Sequence, residues 1–129
     1  RMIEQAALAE FIEEGHLSTH LRRVRNIYQE RRNVLRKAIE SRLGELVSTS
    51  GGLAGLHLPY FFNQAIDDVA LSSEMLEAGI VLRPLSMYYA NSRQRRSGMV
   101  LGFAAVDAKT IETAADLLCT AIERRSRRL

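Results

Sequence analysis

Gly44-Glu45-Leu46-Val47-Ser48-Thr49-Ser50-Gly51-Gly52-Leu53-Ala54-Gly55-Leu56-His57-Leu58-Pro59-Tyr60 is the stretch on which the fold turns, because hydrophobic period changes within it. Before Gly44 the apolar residues Leu21, Val24, Tyr28, Leu35, Ala38 and Ile39 recur at helical spacing, with Ser18 or Thr19 placed to cap the helix. Roughly 25 residues at about 1.5 Å each make it close to 38 Å long, more than a small domain needs and suited to linking two lobes. After Gly44 the period shortens. Leu46 to Thr49 read as a short strand, Ser50-Gly51-Gly52 as a turn, and Leu56, Leu58 and Tyr60 as one face of a second strand. Pro59 has no N–H for a ladder, which marks an edge or a strand end.

Working outward, residues 2–14 place Ile3, Ala7, Leu8, Phe11 and Ile12 at helical spacing, interrupted by Gly15 and His16. Downstream, Asp67 or Asp68 caps a helix running through Met75 and Leu76, and Gly79 supplies its left-handed stop. Ile80 to Leu82 form the next strand, broken by Pro84. A polar loop from Asn91 to Ser97 precedes the strand Met99 to Ala104. Asp107 caps a last helix with Ile111, Ala114, Leu118 and Ile122 on its buried stripe. Helix, long helix, two strands, helix, two strands and helix predict an α+β fold, a small antiparallel sheet with helices packed on one face. Residues 1–44 are the helical part leading to another lobe, and 45–129 an α/β sandwich. The start at Arg1-Met2-Ile3-Glu4 enters an amphipathic pattern with no capping residue, as expected of a fragment.

The composition is that of a globular protein, 47% hydrophobic and 26% charged over 129 residues. No apolar run approaches 18 residues, so no membrane partner is expected. Cys119 is the only cysteine. An intrachain disulfide and a multi-cysteine zinc site are therefore ruled out, and a reducing, cytoplasmic location is the expectation. The net charge of +3 conceals 16 arginines and two lysines set against 15 acids. Pairs such as Arg36–Glu40 lie one helical turn apart, which favours a solvated, self-screened face over a nucleic-acid surface.

Chemistry is sparse. His16 and His20 share a helical spacing, but Gly15 breaks the element and Glu13 is the only nearby third ligand. Gly51 to Gly55 lacks the Lys-Ser/Thr of a phosphate loop and reads as a turn. Cys119, beside Leu118, reads as a buried thiol. Lys37 and Lys109 occupy exposed or first-turn positions without the desolvation a Schiff-base lysine needs. Tyr88 and Tyr89, followed by Asn91, Arg93, Arg95 and Arg96, combine aromatics with cations. That combination suits a base-stacking surface or a loop covering a pocket in a neighbouring lobe.

An ordered set of residues carries a resemblance. It begins with Gln5, Ala7, Leu8, Ala9, Phe11 and Ile12, continues through Gly15, His16 and His20, and includes Arg22, Arg23, Arg25, Tyr28, Arg31 and Arg32. It runs on through Gly52, Gly55-Leu56-His57-Leu58, Ala78-Gly79-Ile80, Pro84-Leu85-Ser86-x-Tyr88-Tyr89 and Gly98-x-x-Leu101-Gly102-Phe103-Ala104. Covering essentially the whole chain, this set resembles the C-terminal part of MocR-type transcriptional regulators.

The resemblance implies a parent that joins a GntR-type winged-helix DNA-binding domain to a domain with the fold of class I aminotransferases, a fold-type I domain that uses pyridoxal 5′-phosphate (PLP). This chain would be the C-terminal lobe, sensing an effector. The cofactor-bonding lysine and the acid facing the pyridine nitrogen would lie in the absent large lobe. PLP would then be bound by the full-length protein and not by this fragment, which would carry no catalytic residue and no metal. The implied partners are the rest of the PLP domain, a second copy in a homodimer, and DNA through the absent N-terminal domain. The alternative reading is the C-terminal domain of a genuine class I/II aminotransferase. There, a strand arginine commonly holds the substrate carboxylate, and the resemblance puts Val100 at that place. Arg83 and Arg93 are the substitutes to consider. The candidate effector or cleft residues are accordingly Tyr88, Tyr89, Arg83, Arg93 and Ser86.

Overall fold

The computed structural model describes residues 15–49, 56–89, 91, 95–103 and 106–129. The expected first helix over 2–14 and the glycine-rich turn at 51–55 fall outside that set. The long helix α1 spans His16–Leu43, 28 residues, or about 42 Å at 1.5 Å per residue. It begins earlier than the Ser18 or Thr19 cap predicted. Gly15 occupies the N-cap position with φ +76°, no side chain caps the helix, and the Thr19 hydroxyl instead donates back to the Gly15 carbonyl at 3.3 Å. A threonine in the first turn can bond the carbonyl four residues back, which removes it from capping duty.

Only the second half of α1 is buried, through Leu35, Ile39 and Leu43 at four-residue intervals. The predicted stripe does not extend to the first half. There Leu21 is 51% exposed, and Val24 and Tyr28 are half-buried. Sequence period identifies a helix and its apolar side, but burial also requires a neighbour along the whole length.

Strands β1 (Val47–Thr49), β2 (His57–Phe62), β3 (Leu82–Pro84) and β4 (Gly98–Gly102) form one sheet in the order β1-β2-β4-β3. Every pairing is antiparallel. Tyr60 faces Met99, Leu58 faces Leu101, and Leu82 faces Leu101 from the other side. These residues share the inner face and are buried with Val47 and Phe62. His57, Pro59, Phe61, Arg83 and Val100 fall on the other face by the two-residue alternation, and are exposed or half-buried. Pro59 is at neither an edge nor a strand end, contrary to expectation: it is the third of six residues in β2, an interior strand, opposite Val100 of β4. A residue in an antiparallel ladder directs its N–H toward only one of its two neighbours, so an interior strand can hold a proline at the loss of a single bond.

Helix α2 (Asp68–Glu77) is capped by Asp67, whose carboxylate accepts from the Ala70 N–H at 3.0 Å. It ends at Gly79 with φ +83°, where Gly79 and Ile80 return their N–H groups to Leu76 and Met75. After β3 the chain makes a 3-10 turn over Leu85–Tyr88. Helix α3 (Ala108–Arg127) is capped by Asp107 on the Thr110 N–H at 2.8 Å. Its buried face carries Ile111, Ala115, Leu118, Cys119 and Ile122. The predicted Ala114 is half-buried, and its neighbour Ala115 takes the inward place.

These helix faces and the inner sheet face make one hydrophobic cluster. Ion pairs fasten its rim. Arg42 of α1 pairs with Asp116 and Glu123 of α3, and Glu74 of α2 pairs with Arg124 and Arg125. The arginine-rich C-terminus is thus partly consumed in packing α2 against α3. Among the described residues, no helix is long and apolar enough to cross a membrane.

Candidate functional site

The 3-10 turn after β3 sets out the candidate residues in order. Leu85 and Ser86 turn inward and are buried, Tyr88 is 61% exposed, and Tyr89 is half-buried. Pro84 fixes the entry to this turn at φ −67°, the angle its ring imposes. Ser86 is held from both of its polar groups. Its N–H donates to Asp68 Oδ2 at 2.9 Å and its hydroxyl to Asp68 Oδ1 at 2.6 Å. The Gly98 N–H at the start of β4 donates to the same Oδ2 at 3.0 Å. Asp68 itself is 3% exposed.

A broad cleft of about 700 Å³ opens beside this node, lined in part by Ile66, Asp67, Asp68, Ser86, Arg95 and Arg96. The Arg96 guanidinium lies over the Phe61 ring, 4.2 Å from its centroid, an attraction of the cation for the ring's negative face. Ser97 also lines the cleft and donates its hydroxyl to the Gln64 carbonyl at 3.3 Å. Its lining thus carries both charge signs, Arg95 and Arg96 together with Asp67 and Asp68.

Arg83 belongs elsewhere. It projects from β3 on the open sheet face, directly opposite Val100 of β4. Side chains so paired have Cβ atoms about 5 Å apart. Arg83, Val100 and His57 border a second hollow of about 400 Å³, whose floor includes Leu101, Ile111 and Leu118. The sequence candidates are therefore divided between two places: Ser86 at the cleft, Arg83 at the hollow, and Tyr88 exposed on the turn. Arg93 lies outside the described residues. Asp68 was missed as a site residue because the sequence offered it only as an alternative to Asp67 for capping α2. The doubled acid was the available signal, since one cap needs only one carboxylate.

The remaining titratable groups serve the fold. Glu40 accepts from Arg36 Nε at 2.9 Å and from the buried Tyr60 hydroxyl at 3.0 Å. The Arg36 hydrogen bond holds the Glu40 carboxyl below the usual carboxylate range, and burial followed by the bond to Glu40 raises the Tyr60 hydroxyl. Lys37 and Lys109 are both exposed. Cys119 is fully buried, and burial pushes its thiol up to about 11. A neutral, enclosed thiol is a poor nucleophile. Ellman's reagent at pH 7.5 is expected to leave Cys119 unmodified in the folded protein and to titrate it after denaturation. Stoichiometric labelling without unfolding would contradict this burial.

No protein-family model matches the chain. It is 34% identical over 120 residues to the probable rhizopine catabolism regulatory protein MocR of Rhizobium meliloti, covering 93% of this chain and 24% of that protein. It is 32% identical over 118 residues to the uncharacterized HTH-type transcriptional regulator YhdI of Bacillus subtilis (strain 168), covering 91% of this chain and 25% of the relative. Among solved structures, LysN, an α-aminoadipate aminotransferase of Thermus thermophilus, superposes with a TM-score of 0.78 at 20% identity. That match covers 95% of this chain and 31% of LysN. The multiple substrate aminotransferase of Thermococcus profundus superposes with a TM-score of 0.77 at 22% identity, over 93% of this chain and 30% of that one. The chain thus spans about a quarter of the length of these regulators and carries a fold found within aminotransferases. Along nearly its whole length the chain is similar to one segment of these transcriptional regulators, and its own α+β fold is one found within aminotransferases.

Proposed function

We propose that this chain is part of the effector-sensing, aminotransferase-like domain of a PLP-dependent transcriptional regulator. In this reading residues 1–44 lead to a large lobe and 45–129 form the small one. The parent works as a cytoplasmic homodimer that reaches DNA through a separate N-terminal domain. The observation that carries it is the 34% identity to a regulatory protein across 93% of the chain. A lobe of a true aminotransferase is the second reading, favoured by the structural neighbours. Val100 weighs against it, because an apolar side chain cannot offer a carboxylate the paired N–H donors of an arginine. Arg83, one strand across on the same face, can replace that charge, and Arg93, outside the described residues, is the other candidate.

The described residues suit the margin of a PLP cleft and not its anchor. Neither lysine is desolvated, and the one buried carboxylate, Asp68, is already committed to Ser86 and Gly98. PLP supplies an electrophilic aldehyde on an electron-withdrawing ring. This chain contributes the Tyr88–Tyr89 edge, where an exposed ring can cover a ligand while its hydroxyl reaches a polar group.

Mapping the covalent attachment tests the assignment. The full-length protein is loaded with PLP, reduced with borohydride and digested for mass spectrometry. A single stoichiometric pyridoxyl label outside residues 1–129 is the expected result. A stoichiometric label on Lys37 or Lys109, or no specific label anywhere, would refute the assignment.

A further inference from the structure

Asp68 is a buried carboxylate that the start of α2 does not require, since Asp67 already caps that helix through the Ala70 N–H. Among the described residues no lysine or arginine forms an ion pair with it. Burying a carboxylate is costly unless its oxygens are well supplied with donors. Here the donors come from two points that are distant along the chain and adjacent in space. Ser86 gives its N–H and hydroxyl, and Gly98 gives its N–H, with Oδ2 shared between the two backbone groups. Ser86 sits within the 3-10 turn that presents Tyr88, and Gly98 is the first residue of β4. One side chain therefore fixes where the tyrosine turn leaves the sheet relative to where the chain re-enters it.

We infer that Asp68 is a positioning residue for the Tyr88–Tyr89 edge, clasping Ser86 and Gly98 so that the exposed ring is presented in one orientation. The inference rests on the proposed role of that edge at the ligand. A second feature supports a built geometry. A Cβ on Gly98 would lie 2.3 Å from the Tyr60 carbonyl oxygen, so the residue that gives its N–H to Asp68 is also held closely against β2. Loss of the clasp leaves α2 capped and the hydrophobic cluster intact, yet frees both ends of the presenting segment. Small displacements of a supporting residue are enough to spoil a binding geometry.

The chemistry of the clasp gives the test its conservative variant. An asparagine in place of Asp68 can accept both backbone N–H groups on its oxygen and donate from its amide to the Ser86 oxygen. The full-length protein carrying Asp68→Asn, Asp68→Ala, Ser86→Ala or Tyr88→Ala/Tyr89→Ala is examined by hydrogen exchange and by PLP titration followed through visible circular dichroism. Asp68→Ala is expected to speed exchange about tenfold at the Ser86 and Gly98 amides, with peptides from α3 unchanged. It should also weaken PLP binding about fivefold and diminish the dichroic band. Asp68→Asn should restore both readouts to within about twofold of the parent, and Ser86→Ala should fall between. Faster exchange throughout the lobe would mean Asp68 supports only global stability and would overturn the inference. If the double tyrosine variant alters PLP binding while Asp68→Ala and Ser86→Ala do not, the inference fails and the proposed edge stands. If none of them alters it, the edge itself is wrong and the inference falls with it. Should Asp68→Ala not fold, Ser86→Ala against Asp68→Asn decides the same question.

Discussion

Replacing Gly98 by alanine is expected to destabilise the protein by about 3 kcal/mol or more, an effect well above that of an ordinary surface change. The added Cβ would stand 2.3 Å from the Tyr60 carbonyl oxygen, 3.1 Å from the Phe61 Cα and 3.2 Å from the Leu85 Cβ. The first two atoms belong to the backbone of β2, which pairs with β4 at this point through Phe61 and Gly98. Neither can rotate away as a side chain tip would, so the two strands must separate or slip. The usual gain from stiffening the unfolded chain, about 0.4–1 kcal/mol for Gly to Ala, is too small to offset that. Gly102 is the matched control, four residues along the same strand. Among the described residues its added Cβ would meet the His57 Cδ2 alone, at 3.9 Å, ordinary contact, and Gly102→Ala should cost less than about 1 kcal/mol. Urea denaturation midpoints of the two variants make the comparison. Equal midpoints would show that the β2–β4 register is wrong.

The contrast between these two glycines also shows where sequence reading stops. Gly102 stands in the run legible as a strand and Gly98 just ahead of its expected start at Met99, but only the pairing partner makes Gly98 indispensable. Signals confined to a few residues were readable. Asp107 caps the helix assigned to it, Asp67 is the one of the two offered aspartates that caps α2, Gly79 ends α2 at positive φ, and the helix–strand order holds over the described residues. Pro59 is the exception, since its missing N–H predicts an edge or a strand end and the structure places it third of six residues in an interior strand.

What failed depended on contacts distant in sequence. Leu21, Val24 and Tyr28 fit the apolar period of α1 as well as Leu35 and Ile39 do, yet only the latter pair lies in the core. Arg83 and Ser86 are near neighbours in the chain, but strand pairing sends Arg83 to the open face beside Val100 and the 3-10 turn takes Ser86 inward to Asp68. No periodicity in one segment encodes that separation. Asp68 presents the same difficulty, because its three donors come from positions that only the folded sheet brings together.

Ile39→Ala is expected to cost about 3–4 kcal/mol, within the range for truncating a fully enclosed isoleucine. Ile39 is 0% exposed, at the middle of the three buried turns of α1. Around it the core gathers the inner face of the sheet and the α3 residues Leu118, Cys119 and Ile122. This is where the long helix meets the sandwich, so the cavity would open at the joint between them. Two constraints limit relaxation there. Glu40, the next residue, is tied to both Arg36 and the buried Tyr60 hydroxyl, and Arg42 is tied to Asp116 and Glu123 of α3. A helix tied to the sheet and to α3 within three residues of the deletion resists shifting inward to fill it, which places the cost toward the upper part of the range. Lys37→Ala, on the exposed side of the same helix, should change stability by less than about 0.5 kcal/mol. Denaturant midpoints again separate the cases. A loss below about 1 kcal/mol for Ile39→Ala would mean that α1 does not form the wall of this core.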